Sequence, residues 1–370
     1  MKQVLMWVYA ALVVATSGSA AAQRDAPLDR IKLPPGFAID VLARVPNARA
    51  LALGRDGVVF VGSSDGRVYA IVPGSRGDGA TRVVVVASGF DDAGGVAFHD
   101  GALYVGAVDR IARIDNVMSH PNGEPARPVL VTDKLPHDAH HGRKYIAFGP
   151  DGKLYVNVGA PCNVCDPDRD RYAVIMRMNA DGSGIEPYAR GERNSVGFDW
   201  DPKTRELWFT TNGRDLMGDD VPADTLNHAT RAGLDFGFPY CHAGDVPDPE
   251  FGRKRKCSEF TPPAQKLGAH VAALGMRFYT GTQFPSAYRD QIFIAEHGSW
   301  NRSRKSGYRV TLVKLDTQRH PVSYEPFAQG WLEGENAWGR PADVLVASDG
   351  SLLVSDERVG AVYRIRYRGA

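Results

Sequence analysis

The chain has 370 residues, long enough to bury one large core or two ordinary ones. Its 44 basic and 43 acidic residues nearly cancel, which excludes the strong charge bias of a nucleic-acid or membrane-surface binder. With 40 glycines, 24 prolines and no long helical periodicity, it reads as an all-β chain with many turns.

The N-terminus reads as a signal peptide. Lys2 supplies a positive start, residues 4–15 (VLMWVYAALVVA) are apolar but short for a bilayer span, and Ala20-Ala21-Ala22 offers a cleavage site before Gln23. Residues 1–22 are therefore set aside, and the mature chain, 23–370, is expected in the periplasm or outside the cell, without stable membrane insertion. An uncleaved anchor is the alternative.

One unit then recurs: an apolar strand, a turn often containing Asp-Gly, a second apolar strand and a third. It runs through 49–71 (RALALGRDGVVFVGSSDGRVYAI), 94–114 (GGVAFHDGALYVGAVDRIARI), 143–158, 195–211, 275–315 and 340–366. Asp-Gly falls where a tight hairpin needs positive φ. Six small antiparallel sheets of this kind predict a six-bladed β-propeller with four-stranded blades in a single domain. The early strand 37–45 (FAIDVLARV) lies outside the first unit and is placed to complete the last blade. A pair of β-sandwiches is the alternative fold. The longest loops are predicted at 159–175, 212–235, 239–270 and 296–308, and long loops on a rigid scaffold commonly carry chemistry.

Four cysteines suit an exported chain. The pairings Cys162–Cys165 and Cys241–Cys257 are favoured among the three possible, with a zinc site as competitor because Cys-x-x-Cys is a zinc spacing.

Candidate chemistry follows in chain order. His140-His141-Gly142-Arg143 opens a blade strand, where a neutral imidazole can take a proton from a hydroxyl. Arg193 and Asn194 offer a forked cation and an amide. Asn212-Gly213-Arg214-Asp215, with Asp219, Asp220 and Asp224, is a Gly-containing acidic loop that suits calcium, although not with EF-hand spacing. Asp245, Asp248 and Glu250 form a second acidic cluster. Glu296-His297-Gly298-Ser299-Trp300-Asn301-Arg302, with Arg304 and Lys305, sets cations beside Trp300, a cradle for a planar anion. Arg340 precedes the last blade. Taken singly, these segments also read as solvated turns. No dinucleotide fingerprint, P-loop, nucleophile elbow or haem-attachment motif is present.

In order along the chain, these motifs resemble a known family. Leu-Pro-Pro-Gly-Phe (33–37), the His-Arg segment before Phe-Gly-Pro-Asp-Gly-Lys-Leu-Tyr (148–155), Arg193-Asn194, Asn212-Gly213, Asp224-Thr225-Leu226-Asn227, Phe236-Gly237-Phe238-Pro239, 297–302 and a late Gly-Arg-Pro span about residues 30–368. The chain resembles the soluble glucose and aldose sugar dehydrogenases that depend on pyrroloquinoline quinone (PQQ), most closely their sorbosone-dehydrogenase-like branch. The resemblance implies a six-bladed propeller that binds PQQ and calcium at the channel mouth, oxidises a small sugar and passes electrons to an external acceptor. It maps the general base to His141, with His140 as rival because the spacing to the arginine is compressed. It maps Arg193 and Asn194 beside substrate and cofactor, and calcium to carbonyls at Gly213 and Arg214, with Asp215 adjacent. His140, His297, Trp300, Asn301, Arg302 and Arg340 become cofactor contacts. Thr225 departs from an acidic position of the family, and the loop from Gly213 to Asp224 is longer. A metal-dependent propeller lactonase and a non-enzymatic binding propeller are the competing readings.

Overall fold

The computed structural model describes residues 26–74, 81–117 and 127–369, so the expected signal peptide at 1–22 lies outside the described residues. Among these residues there is no α-helix, and no helix long and apolar enough to cross a membrane. Alternating, β-branched segments broken by turn residues leave the strand as the available element.

Six four-stranded antiparallel units follow one another around an axis, as the repeat predicts. The first three begin with Ala48–Leu53, Gly95–His99 and Ile146–Phe148. The last three begin with Phe198–Trp200, Ala273–Phe278 and Pro341–Val346. These first strands approach their counterparts in neighbouring blades, so they form the channel wall. The third blade gains a short parallel strand, Leu234–Asp235, beside Glu186–Arg190. The hairpin between the first two strands of the second blade turns through Asp100 (φ 47°) and Gly101 (φ 83°), the two positive-φ residues of a type I′ turn.

The sixth blade is completed by the N-terminus. Phe37–Arg44 pairs antiparallel with Ala361–Tyr367, from Phe37 opposite Tyr367 to Arg44 opposite Ala361. Phe37 inserts edge-on among Phe284, Tyr288, Phe327 and Tyr367, with ring centres 4.7–5.3 Å apart. Aromatic contacts also join successive blades: Phe60 to Phe98, Tyr155 to Trp200, and Trp208 to Phe278.

Carboxylates staple the blades near the axis. Asp343 of the sixth blade accepts the amide of Leu51 in the first (2.8 Å), and Asp199 of the fourth accepts that of Phe278 in the fifth (2.9 Å). The Ser355 hydroxyl donates to the carbonyl of Arg49 (2.6 Å).

Both cysteine pairs are disulfides, Cys162–Cys165 and Cys241–Cys257, so no thiolate remains there for zinc. Two expected loops contain strands of the fourth blade: Gln265–Ala269, its fourth strand, falls inside 239–270, and 212–235 is likewise interrupted. Residues 212–235 are not one loop, because Ala223–Ala229 forms the third strand of the fourth blade. Its apolar and small side chains pair across to Leu207–Thr211, and Asp224 is buried within it.

Replacing Phe37 with Ala removes the ring on which the closure is packed. The expected loss is about 3 kcal/mol of stability, read as a shift in the denaturant midpoint. A loss below about 1 kcal/mol would show that the closure does not depend on that ring.

Candidate active site

Residues before or within the inner strands, and others that follow the second strands, converge on one mouth of the channel. They enclose a cavity of about 490 Å³ that draws side chains from all six blades. A cavity of that size is typical of small-ligand sites.

His141 stands on its wall, in a turn at φ 53°. Its Nδ1 lies 2.8 Å from the carbonyl of Ala160. A carbonyl only accepts, so Nδ1 carries the hydrogen and Nε2 keeps its lone pair. Burial, then the positive charge of Arg193 and then His140, push the His141 pKa down to about 3. The imidazole is therefore neutral throughout the physiological range. His140 is exposed and does not line the cavity; its ring packs against that of His141, with centres 4.0 Å apart.

Arg193 is buried and has all its N–H groups engaged. Nε donates to the carbonyl of Asn163 (2.8 Å), and Nη1 to those of Gly213 (2.8 Å) and Asn212 (3.4 Å). Nη2 donates to Asn163 Oδ1 and Asp215 Oδ2, both at 2.9 Å. Its geometry is that of a clamp, and its effect on His141 is electrostatic. Asn163 sits inside the Cys162–Cys165 loop. Its side chain also accepts the Asp215 amide (2.9 Å) and donates to the Asp215 carbonyl (3.1 Å), so the disulfide loop and the 213–215 turn form one unit. Asn194 lines the cavity and approaches Asn212 Oδ1 at 3.4 Å.

Of the expected cofactor contacts, His297, Trp300 and Arg340 line the cavity. Arg340 donates to the carbonyls of His297 (3.0 Å) and Gly298 (2.7 Å) and makes no ion pair among the described residues. His297 donates from Nε2 to Glu357 (3.0 Å), and burial pushes its pKa down to about 4. Trp300 is 73% exposed, an aromatic face standing open to water at the rim. Arg302 and Asn301 are not brought into this cavity. The Arg302 guanidinium turns away to Asp220 (3.2 Å) and to the carbonyl of Arg304 (3.0 Å).

The expected calcium residues divide. Gly213 and Asp215 line the cavity; the Arg214 side chain pairs with Asp248, which also holds His242, while the expectation at Arg214 concerned its backbone carbonyl. Asp224 is fixed by the amide of Gly213 (2.8 Å), and burial raises its pKa to about 6. Asp219 and the exposed Asp220 bind the 302–303 segment instead. Asp245 pairs with Lys266. Among the described residues no three His, Cys, Asp or Glu side chains stand together for a metal. A calcium ion at 213–215 would depend on carbonyl oxygens and on its ligand.

Sequence reasoning missed Arg49, Asp91, Asp92 and His270, all of which line the cavity, whereas Asp224, named there as part of the acidic loop, reaches the same wall. The signal available was positional, since residues preceding an inner strand face the axis. His270 precedes Ala273–Phe278 much as His141 precedes Ile146–Phe148.

Fold and cavity together define a β-propeller with an enzyme-like axial site. The family described as glucose/sorbosone dehydrogenase matches residues 41–364, and the chain belongs to it. Its activity is of the sugar-dehydrogenase kind. An uncharacterized protein of Borreliella burgdorferi is 33% identical over 351 residues, covering 91% of each chain. The fold is similar to the holo form of the PQQ domain of Coprinopsis cinerea pyranose dehydrogenase (TM-score 0.75, 19% identity, 91% of this chain and 97% of that one). It is also similar to the apo form of the soluble aldose sugar dehydrogenase of Escherichia coli (TM-score 0.67, 17% identity, 90% and 100%).

Two predictions follow from the packing around His141 and Arg193. A Cβ on Gly159 would stand 2.5 Å from the Cβ of His141, 3.0 Å from its carbonyl oxygen and 3.2 Å from Asn194 Oδ1. Gly159→Ala should displace that ring and lower kcat about 100-fold with the fold retained by circular dichroism; wild-type kcat would refute the role. Glu192, beside Arg193, is fully buried, and burial pushes its carboxyl up to about 8. The hydroxyl and amide of Ser195 oppose this rise without reaching full hydrogen-bond geometry. The unfolded chain loses this proton near pH 4.5 while the native chain keeps it to about 8, so stability falls as pH rises between those values. Glu192→Gln should gain about 2 kcal/mol at pH 8 and nothing near pH 4.5 in denaturant titrations. Equal effects at both pH values would contradict a protonated Glu192.

Proposed function

We propose that the chain is a PQQ- and calcium-dependent sugar dehydrogenase of the periplasm or extracellular space. It oxidises an aldose or a sorbosone-like hydroxy-aldehyde and passes the electrons to an external acceptor. The observation that carries this reading is His141, a neutral imidazole whose Nε2 lone pair is left for a substrate hydroxyl in a cation-lined axial cavity.

The residues present fit the cofactor by their chemistry. Arg340 lines the cavity as a cation with no carboxylate of its own, which suits an anionic ligand. Trp300 offers an open face for a planar ring. Gly213 and Asp215 supply oxygens for a hard cation beside it. When bound, the quinone supplies the two-electron acceptor for hydride.

His141 Nε2 takes the hydroxyl proton as the carbon is oxidised, while Nδ1–H to Ala160 holds the tautomer. Burial, reinforced by the Arg193 charge, keeps the imidazole from picking up a solvent proton beforehand, and Arg193 fixes the 213–215 turn. Asn194 provides an amide within the same cavity to orient the sugar. The disulfides agree with an oxidising compartment.

Purified apoprotein should reduce a dye with aldoses or hydroxy-aldehydes only when both PQQ and calcium are supplied. His141→Ala should lower kcat about 1,000-fold while PQQ affinity, followed by fluorescence quenching, stays within about threefold. Lactone hydrolysis with metal alone would favour the lactonase. No stabilisation by PQQ with calcium would favour a non-enzymatic propeller.

A further inference from the structure

A second concavity, of about 580 Å³, lies beside the 296–308 loop. Its cations are Arg30, Lys32, Arg302, Arg304, Lys305 and Arg309, drawn from the N-terminal segment and the fifth blade. The floor is built. Lys32 and Gln329 exchange backbone hydrogen bonds (2.7 and 3.2 Å), and Gly330 turns at φ 132° directly against the backbone of Arg30.

Four of these cations have a carboxylate: Arg30 with Glu333, Arg302 with Asp220, Lys305 with Glu335 and Arg309 with Glu296. Lys32 and Arg304 make no ion pair among the described residues. The groove thus holds two cations in excess on a chain whose whole formal charge is +1. The pairs at Glu333, Asp220 and Glu335 are largely exposed on the acidic side, so an incoming carboxylate displaces them at little cost.

The groove is also next to the active-site cavity. Tyr308 lines the groove, and its ring lies 5.5 Å from the guanidinium carbon of Arg340, which lines the cavity. Tyr308 is buried and tied to Ser299 through its hydroxyl (2.6 Å). Trp300, at the cavity rim, is two residues from Arg302 in the groove wall.

We infer that this groove is the docking face for the electron acceptor, a small redox protein with an acidic surface. The inference rests on the dehydrogenase reading above. Oxidation of one substrate hydroxyl releases two electrons and two protons. The electrons go singly to two one-electron acceptor molecules docked in turn, each reduced by one, and the protons go to solvent. Charge complementarity selects and steers such a partner.

The test uses the full mature chain and a plastocyanin with an acidic face as probe. Its binding to the apoprotein with calcium is measured by calorimetry and, separately, its reduction by the PQQ-loaded enzyme. Binding should weaken as salt rises. The double variant Lys32→Glu/Arg304→Glu should bind at least 10-fold more weakly and show a correspondingly lower kcat/KM for plastocyanin. Its melting temperature and its reduction of an uncharged dye should match the wild type. Equal affinity in the two proteins, or no binding by either, overturns the docking face. Binding of heparin but not plastocyanin overturns it as well and reassigns the groove to an acidic glycan. Charge-dependent binding with no dye reduction by either protein sinks the dehydrogenase reading and, with it, the electron-accepting role alone.

Discussion

The ring exists only because its first strand is spent on its last blade. Phe37–Arg44 closes onto Ala361–Tyr367, so the two ends of the chain hold each other. An open ring would leave a sheet edge and a gap in the channel wall. Every feature of the axial cavity depends on that closure, because its lining residues come from segments as distant as Arg49 and Arg340. The carboxyl groups of Asp343 and Asp199 then tie neighbouring blades together by accepting backbone amides across the seams.

Within the cavity, one set of contacts prepares the chemistry before any ligand arrives. The Ala160 carbonyl chooses the tautomer of His141, and burial beside Arg193 keeps its ring neutral. The same Arg193 is held by Asn163 and by the 213–215 turn, and Asn163 is itself held in a disulfide loop. A neutral imidazole, a guanidinium and the 213–215 turn are thereby set at fixed separations, the kind of preorganisation an enzyme site needs. The His141 ring is held by the Ala160 carbonyl, whereas Trp300 stands open to water.

Much of the architecture was legible because a propeller repeats itself. Asp100-Gly101 marks a hairpin, strand 37–45 has no unit of its own, and the disulfides follow local spacing. The site was legible in part. His141, Arg193, Asn194, His297 and Arg340 lie in motifs, and all reach the cavity. What the sequence hides is direction. Arg302 and Arg340 read alike as cations, but Arg302 answers to Asp220, whereas Arg340 makes no ion pair among the described residues. Asp224 reads as a loop ligand until strand pairing buries it. Asn163 is unremarkable in a sequence and central in space, because its four partners come from residues 30 and 52 positions away.

The most direct measurement of the central claim is a crystal structure of the mature protein grown with PQQ and calcium. The account predicts the quinone in the axial cavity, with a carboxylate on Arg340, its plane near Trp300, the ion against the 213–215 turn and the reactive carbonyl facing His141 Nε2. A quinone bound outside that cavity, or an imidazole turned so that Nε2 faces away from it, would contradict the account.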